Sequence, residues 1–360
     1  MKKIFGVLIC VLLVSFASIA QDSLNEENPG SRFEDDFEKT KDPVLGYPPT
    51  EVLRPVRNSL REGSMQYRSS LQCGFWEERG PSNIGGRTRA FMYDPNDVTG
   101  KKVWAGSVSG GLWYNNDITN AASSWIKVND FWDDLAISSI AYNPLNTQEF
   151  YVGTGEGWAN ADAHIGDGIW KSTDGGVTWA LLASTATATF YYIQKIVIHP
   201  VTGDIYAATK ANGIMRSQDA GATWVKVLGI TAGAAQNTAA DIEMGADNTI
   251  YVSIGIMNTD GIYSSTTGNL SSWTKLNLGT NGFPTTGFRR IEFATAPSNA
   301  NVLYALAQST ATSGILDIYK TTDKGATWVT VTKPYDSYIS NPDFTRGQAW
   351  YDLAVGVDPN

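Results

Sequence analysis

The chain of 360 residues carries 27 Lys and Arg against 36 Asp and Glu, and this net charge of −9 argues against a surface that binds nucleic acid. Its 35 glycines, 12 tryptophans and 16 tyrosines favour turns and aromatic-rich strands over helices. The two histidines, His164 and His199, are too few for a zinc cluster, and no phosphate-binding glycine loop or EF-hand spacing occurs, so we expect neither a metal nor a cofactor.

The N-terminus is typical of a secretory signal peptide over residues 1–20. Two lysines precede an apolar run at residues 4–16, and Ser-Ile-Ala at residues 18–20 provides a cleavage site of small residues. Because the run is too short to span a membrane, we expect an exported protein, secreted or at the cell surface, without a membrane span. Residues 21–72 are acidic, contain prolines and lack a regular pattern, which predicts a leader or linker.

From residue 73 onward the sequence repeats. Five units each contain four short segments of strand character, and each unit has a tryptophan at the start of its fourth segment; these are Trp125, Trp179, Trp224, Trp273 and Trp328. Four antiparallel strands repeated at this spacing predict the blades of a β-propeller. A further unit opens with YDLAVGVDPN at residues 351–360. We therefore expect an all-β propeller over residues 73–360 with five complete blades and the first strand of a sixth, as a fragment of a larger propeller.

The motif S/T-x-D-x-G-x-T-W recurs at residues 172–179, 217–224 and 321–328. It predicts a turn between the third and fourth strands, in which the aspartate accepts amide hydrogen bonds and the tryptophan wedges between neighbouring sheets. A catalytic group is normally needed once, so we interpret the recurring residues as structural. They are Asp174, Trp179, Asp219, Trp224, Asp323 and Trp328.

This motif resembles the Asp box, or BNR repeat, of sialidases, xyloglucan hydrolases, sortilin-type receptors and many exported bacterial propellers. WEERGPSNIGGRTRA at residues 76–90 and the GTGE stretch at residues 153–156 are similar to the exported bacterial group. The resemblance implies the propeller fold. It does not extend to the early Arg-Ile-Pro motif of sialidases, because GGRTRAF and FRRIEF supply arginines without it.

Antiparallel topology places the turns of the repeated motif at one end of each blade, and the loops between second and third strands at the other. We therefore expect function at the end opposite the motif. The longest such loop, residues 155–168, is rich in acids and aromatics, a combination that suits sugar binding and glycoside hydrolysis. The predicted ligand-binding residues are Trp158, His164, Asp130, Trp132, Asp133, Arg87, Arg89 and Trp350.

The sequence is consistent with two functions, binding without catalysis and enzymatic hydrolysis. The first is a secreted or surface propeller that binds an extracellular polysaccharide or glycoprotein. The second is a glycoside hydrolase: the resemblance to xyloglucan hydrolases implies Asp162 as a general base, with Glu156 and Asp167 as weaker alternatives. The same resemblance implies that the second catalytic acid lies in a later region that this chain lacks. The oligomeric state is not specified by the sequence.

Overall fold

The computed structural model describes residues 37–39, 41–47, 87–129, 132, 134–158, 160, 163–229, 238–335 and 343–359. The chain divides into two units, Met1–Phe75 and Trp76–Asn360. In the first unit the Asp42 carboxylate accepts hydrogen bonds from the amides of Val44 at 2.7 Å and Leu45 at 2.9 Å, which caps a turn. The predicted signal peptide and most of the predicted leader lie outside the described residues.

The described part of the second unit contains twenty β-strands and two 3-10 turns. The first ten strands are β1 (Thr88–Tyr93), β2 (Val103–Ser107), β3 (Leu112–Asn115), β4 (Trp125–Lys127), β5 (Ile137–Asn143), β6 (Asn146–Thr154), β7 (Ile169–Ser172), β8 (Ala180–Leu181), β9 (Ile193–Ile198) and β10 (Ile205–Thr209). The others are β11 (Gly213–Ser217), β12 (Val225–Leu228), β13 (Ala239–Met244), β14 (Ile250–Ile254), β15 (Gly261–Ser265), β16 (Thr274–Lys275), β17 (Phe288–Ala296), β18 (Asn299–Ser309), β19 (Ile315–Thr321) and β20 (Val329–Val331). The 3-10 turns, Ala183–Thr185 and Ala188–Phe190, lie between β8 and β9.

The strands form five antiparallel sheets of four, and in every sheet neighbouring strands are also consecutive in the chain. The first strands of successive sheets, β1, β5, β9, β13 and β17, contact one another in that order. They are therefore the innermost strands, arranged around a common axis. This is the all-β propeller with five four-stranded blades that the sequence predicts.

The second strands of the third and fourth blades are buried on both faces because a neighbouring blade covers each side. IYAAT of β10 and IYVSI of β14 are buried at every position. Such strands are apolar along most of their length, since neither face meets water. The fourth strands are short and partly exposed; all three residues of β4 are exposed. The propeller core thus lies between blades.

The predicted first strand of a sixth blade, residues 351–360, is a point of difference. The described residues 351–359 form no strand. A strand pairs its main-chain groups with a neighbouring strand, and here a side chain takes two of them instead. The Arg290 guanidinium donates to the carbonyl oxygens of Tyr351 at 2.7 Å and Leu353 at 3.0 Å. This segment therefore lies over the inner strands as irregular chain.

Three turns of the repeated motif have the same hydrogen bonds. Asp174 accepts the amide of Thr178 at 2.8 Å, the hydroxyl of Thr178 at 2.5 Å and the hydroxyl of Ser172 at 2.8 Å. Asp219 and Asp323 make the equivalent bonds in their own turns. The Thr178 hydroxyl, the largest cause, and the turn amide lower the pKa of Asp174 to about 2. These aspartates are ionised acceptors that hold turns together.

Each motif tryptophan packs in the interface with the preceding blade. The Trp179 ring lies 6.3 Å from the ring of Trp104, a residue of the first blade, measured between centroids. Trp328 is 4% exposed and donates its indole N–H to the carbonyl of Leu276, at the end of the fourth blade, at 3.3 Å. The tryptophans thus wedge one sheet against the next, and each buries a large apolar surface there.

The motif glycine approaches the preceding blade too closely for any side chain. Gly176 has φ of +88°, and a Cβ atom added there would lie 2.4 Å from the Trp104 ring. The corresponding distance at Gly221 is 2.5 Å to Leu182, and at Gly325 it is 2.8 Å to Leu276. At Gly176 glycine is therefore required for two reasons, the left-handed backbone and the contact with the rigid Trp104 ring, whereas at Gly221 and Gly325 the neighbouring atom is the end of a leucine side chain, which can move.

Substitution of the motif glycine should separate the effect of the left-handed backbone from the effect of the contact between blades. Gly287 has almost the same backbone, φ of +87°, but a Cβ there would meet nothing within 4 Å. We expect Gly287→Ala to lose about 1–2 kcal/mol of unfolding free energy from backbone strain alone. Gly176→Ala should lose a further ~1–3 kcal/mol because of overpacking against Trp104. Urea denaturation of both variants measures the difference, and equal losses would contradict the close-contact role.

Candidate functional site

The two ends of the propeller are built from different connections. At one end the motif turns contact the turns between first and second strands, as where the Gly175 amide donates to the Gln148 carbonyl at 2.9 Å. At the other, the loops between second and third strands contact the links between blades: the Gly155 amide donates to the Ala136 carbonyl at 2.9 Å, and Gly255 to Thr238 at 2.7 Å. We call this second end the loop face. It lies opposite the motif, as the topology argument predicts.

Glu156 is a buried acid of the loop face, with 3% exposure. Its carboxylate accepts hydrogen bonds from the Tyr351 hydroxyl and from the Asn160 amide at 2.8 Å. Arg87 lies 3.7 Å from the same carboxylate and donates to the Tyr351 hydroxyl at 2.9 Å. Burial, and then the hydrogen bond to Glu156, raise the pKa of Tyr351. The carboxylate therefore joins the long loop of the second blade to the segment around residue 351.

Trp158 follows Glu156 and supports two arginines. The ring is buried with 5% exposure, and the guanidinium carbon of Arg290 lies 3.8 Å from its centroid. The Arg89 guanidinium lies 5.1 Å from the same ring and 3.9 Å from the Tyr351 ring. These are cation–π distances. The predicted binding residue Trp158 is therefore an inner support for the arginines rather than an exposed platform for a sugar ring.

Four other predicted residues are not placed at an accessible site by the structure. Asp162, Asp130 and Asp133 lie outside the described residues. Trp132 is 2% exposed and its ring stacks on that of Trp170 at 4.6 Å, which places it in the core between the first two blades. Its ring is not available to a ligand.

The remaining predicted residues form two groups, those held by hydrogen bonds within the protein and those accessible to a ligand. Asp167 is 1% exposed, and one carboxylate oxygen accepts from the Thr154 hydroxyl at 3.1 Å and the Trp170 indole at 3.0 Å. It fixes the end of the long loop to β6 and β7. His164 is exposed, and Trp350 is half-buried against the Trp158 and Tyr351 cluster. Of the residues predicted to bind ligand in the described part of the face, His164 and Arg87 are exposed, and Trp350 and Arg89 are partly exposed.

The inner strands bring together charged residues that the sequence reasoning missed. Lys195 of β9 contacts Asp241 at 2.9 Å and Glu243 at 2.5 Å. Arg290 of β17 pairs with Glu292 at 2.7 Å. A signal was present in the sequence, because each of these residues interrupts an otherwise apolar first strand, as in YYIQKIVI and FRRIEF. Polar residues in the innermost strand face the axis, where no blade covers them.

Asp241 and Glu292 lie close enough to affect each other. Burial, the largest cause, and the negative charge of Asp241 raise the pKa of Glu292 to about 6, against the opposing effects of Arg290 and Lys195. The same desolvation raises the pKa of Glu243. Glu292 therefore takes up a proton at a higher pH than an ordinary glutamate does.

The described residues contain neither a metal centre nor a membrane-spanning helix. Over the described residues, no group of three or more His, Cys, Asp and Glu side chains is placed to hold a metal ion. No helix within those residues is long and apolar enough to cross a membrane.

Comparison with known proteins gives two curated relatives and a structural neighbour. A xyloglucanase from Paenibacillus sp. is 32% identical over 123 residues, which is 30% of this chain and 12% of that protein. A probable oligoxyloglucan-reducing end-specific xyloglucanase from Neosartorya fischeri is 24% identical over 311 residues, 85% of this chain and 33% of that protein. An ancestral GH74 enzyme matches with a TM-score of 0.52 and 22% identity over 73% of this chain and 33% of its own. No protein-family model matches the chain.

These matches show the fold. The structural match and the five four-stranded sheets identify the second unit as a β-propeller. The chain spans no more than a third of the length of the curated relatives it matches.

The hydroxyl of Tyr351 should be needed for the loop face to stay assembled. Tyr351→Phe removes one donor from the buried Glu156 carboxylate, which should lower the unfolding free energy by about 1–3 kcal/mol. Tyr335 is 60% exposed, so Tyr335→Phe serves as the matched control and should change the free energy by less than ~0.5 kcal/mol. Denaturant melts of both variants test this, and equal stabilities would show that the Glu156 contact contributes nothing.

The raised pKa of Glu292 predicts a pH-dependent stability. The pKa of Glu292 in the folded protein, about 6, exceeds the ordinary 4.5. The contribution of Glu292 to the unfolding free energy is therefore fully present below pH 4.5 and is lost as the pH rises through 6. Glu292→Gln removes this loss and keeps an acceptor for Arg290. Relative to wild type, the variant should gain up to about 2 kcal/mol between pH 4.5 and 7.5.

Asp219→Asn provides the control of opposite sign. The Thr223 hydroxyl bond, the largest cause, lowers the pKa of Asp219 to about 2, so its contribution is lost only as the pH falls below the ordinary 3.8. Between pH 4.5 and 7.5 the Asp219→Asn difference from wild type should stay constant. Thermal melts at several pH values measure both, and a constant Glu292→Gln difference would refute the assignment.

Proposed function

We propose that this exported propeller acts on an extracellular β-glucan of the xyloglucan type at its loop face. The observation that carries the proposal is the combination of the fold with two curated relatives that are both named xyloglucanases. The loop face supports it, because the longest loop of the described blades lies there and joins acids, arginines and a half-buried tryptophan. A glucan chain needs hydrogen-bonding groups beside aromatic rings, and this face offers both.

Hydrolysis is the first candidate activity. Glycoside hydrolysis uses two carboxyl groups about 5–9.5 Å apart, one as acid and the other as base or nucleophile. Glu156 and Asp167, the weaker candidates, are held by Tyr351, Asn160, Thr154 and Trp170. Their hydrogen bonds fit a structural role. Asp162, which lies between them in sequence, therefore remains our candidate for the general base.

Binding without hydrolysis is the second candidate. The observation that favours it is the same engagement of Glu156 and Asp167, which leaves both buried carboxylates in contacts within the protein. A propeller of this kind would hold a polysaccharide or glycoprotein at the cell surface through accessible side chains such as Trp350 and Arg87.

One experiment separates the two candidates. The purified full-length protein is incubated with xyloglucan, unsubstituted β-1,4-glucan and xylan, and both reducing ends and affinity-gel retardation are measured. We expect release from xyloglucan, lowered by about 10²-fold or more in Asp162→Asn with binding retained. Asp174→Asn, at the opposite end, is the control and should keep both activities.

The outcomes are distinct. Release that persists in Asp162→Asn removes Asp162 from the mechanism, and retardation without any release selects the second candidate. Trp350→Ala should weaken retardation by about tenfold through loss of an aromatic contact. Absence of both release and retardation on all three polysaccharides would overturn the proposal.

A further inference from the structure

A cavity of about 220 Å³ opens at the axis beside the inner strands. Each of the five blades contributes to its wall through its first strand. Its wall includes one polar residue from each blade, in chain order Arg89, Ser138, Gln194, Asp241 and Arg290. Trp158 also borders the cavity and carries the two arginines on its ring.

Gln194 is the most informative residue of the wall. Its side chain is 6% exposed, yet neither its amide nitrogen nor its amide oxygen has a hydrogen-bond partner among the described residues. A buried polar group without a partner is costly and is rare in native proteins. Gly157 packs against this amide so closely that a Cβ there would lie 2.7 Å from the nitrogen. The amide is therefore held at the cavity wall by its surroundings.

Three further atoms of the wall are in the same condition. The Ser138 hydroxyl, one terminal nitrogen of Arg89 and the Nε atom of Arg290 are buried without a hydrogen-bond partner in the described part of the chain. With the Gln194 amide they make four donors and one further acceptor on residues that border the cavity. The excess of donors favours a ligand rich in acceptor oxygens.

The charges around the cavity add a second constraint. Lys195 is neutralised by Asp241 and Glu243, and Arg290 by Glu292. Arg89 makes its hydrogen bond to the main-chain carbonyl of Tyr351 at 3.1 Å, and no described carboxylate lies within ion-pair distance of it. A partly buried guanidinium in this state attracts an anion, and a carboxylate matches its geometry.

Volume limits the size of the ligand. Pockets for drug-sized molecules enclose about 300–1,000 Å³, so a cavity of 220 Å³ suits a single small molecule. We propose that the axial cavity binds a small polyhydroxy carboxylate, of the size and chemistry of a hexuronate. The carboxylate pairs with Arg89, and the hydroxyls bond to Gln194 and Ser138. This site is distinct from the polysaccharide surface proposed above.

Titration calorimetry with three probes tests the site on the full-length protein. Glucuronate carries both the carboxylate and the hydroxyls, glucose lacks the carboxylate, and acetate lacks the hydroxyls. We expect saturable binding of glucuronate at millimolar concentrations, with glucose and acetate weaker by about tenfold or more, since each loses charged or neutral hydrogen bonds.

Variants locate the binding. Arg89→Met and Gln194→Met should each weaken glucuronate by about tenfold or more. Arg289→Met removes the same charge from the neighbouring position on β17, outside the cavity wall, and should leave binding unchanged. Gln194→Met should also keep or raise the melting temperature, because it replaces an unpaired buried amide with an apolar side chain of similar size. This combination distinguishes a ligand-binding residue from a structural one.

Three results would overturn the proposal. They are no saturable heat with glucuronate, as expected if the cavity holds only water; equal affinity for acetate and glucuronate; and unchanged glucuronate binding in Gln194→Met. Xyloglucan retardation is measured in parallel on the same samples. Because the two assays use different ligands, failure of one proposal does not imply failure of the other.

Discussion

Each blade of the propeller buries one face against the preceding blade, and every other feature depends on that contact. In the motif turns a tryptophan fills the interface and a glycine lets the backbone touch the neighbour. Gly176 and Trp179 both contact Trp104, whose own indole is held by Asp94 at 2.9 Å. These contacts fix the angle between sheets. The fixed angle in turn brings the first strands of five separate blades to one axis.

The axis concentrates polar residues for the same physical reason. Between blades, side chains are covered and must be apolar, whereas the innermost strand faces a space that no blade fills. Asp241 shows how such residues are accommodated: it bonds to Lys195 of the third blade and to the Phe293 amide of the fifth, at 2.9 and 3.1 Å. One carboxylate thus links three blades. The Gln194 amide differs from Asp241, because neither its nitrogen nor its oxygen has a hydrogen-bond partner among the described residues.

The repeats made the fold predictable from sequence, because a four-strand pattern that recurs with a tryptophan determines blade number and topology together. The topology also predicted that the loops between second and third strands lie at the end opposite the motif turns, as they do. Residues 351–359 were predicted as a strand, since their alternation matches the other first strands. That pattern reports which side chains prefer burial, and it cannot report whether a partner strand is present.

Site residues were harder to predict, because acid and aromatic content does not reveal which groups are engaged. Trp132 and Trp158 have the same composition signal as exposed sugar-binding rings, but one stacks in the core and the other lies beneath two arginines. The contact between Glu156 and Tyr351 joins residues 195 positions apart. No local pattern encodes such a pair, and only the closure of blades around the axis brings the two together.

The glycine contacts also bear on how such a propeller can change over evolutionary time. At the motif end, the chain touches the neighbouring blade through backbone, so an inserted residue would push two sheets apart. At the other end the second blade carries a loop of 14 residues, 155–168, with buried ends and with His164 and Ile165 exposed, and its four strands still pair in order. A long loop is therefore accommodated at this end. New specificities can arise there by insertion while the scaffold stays constant.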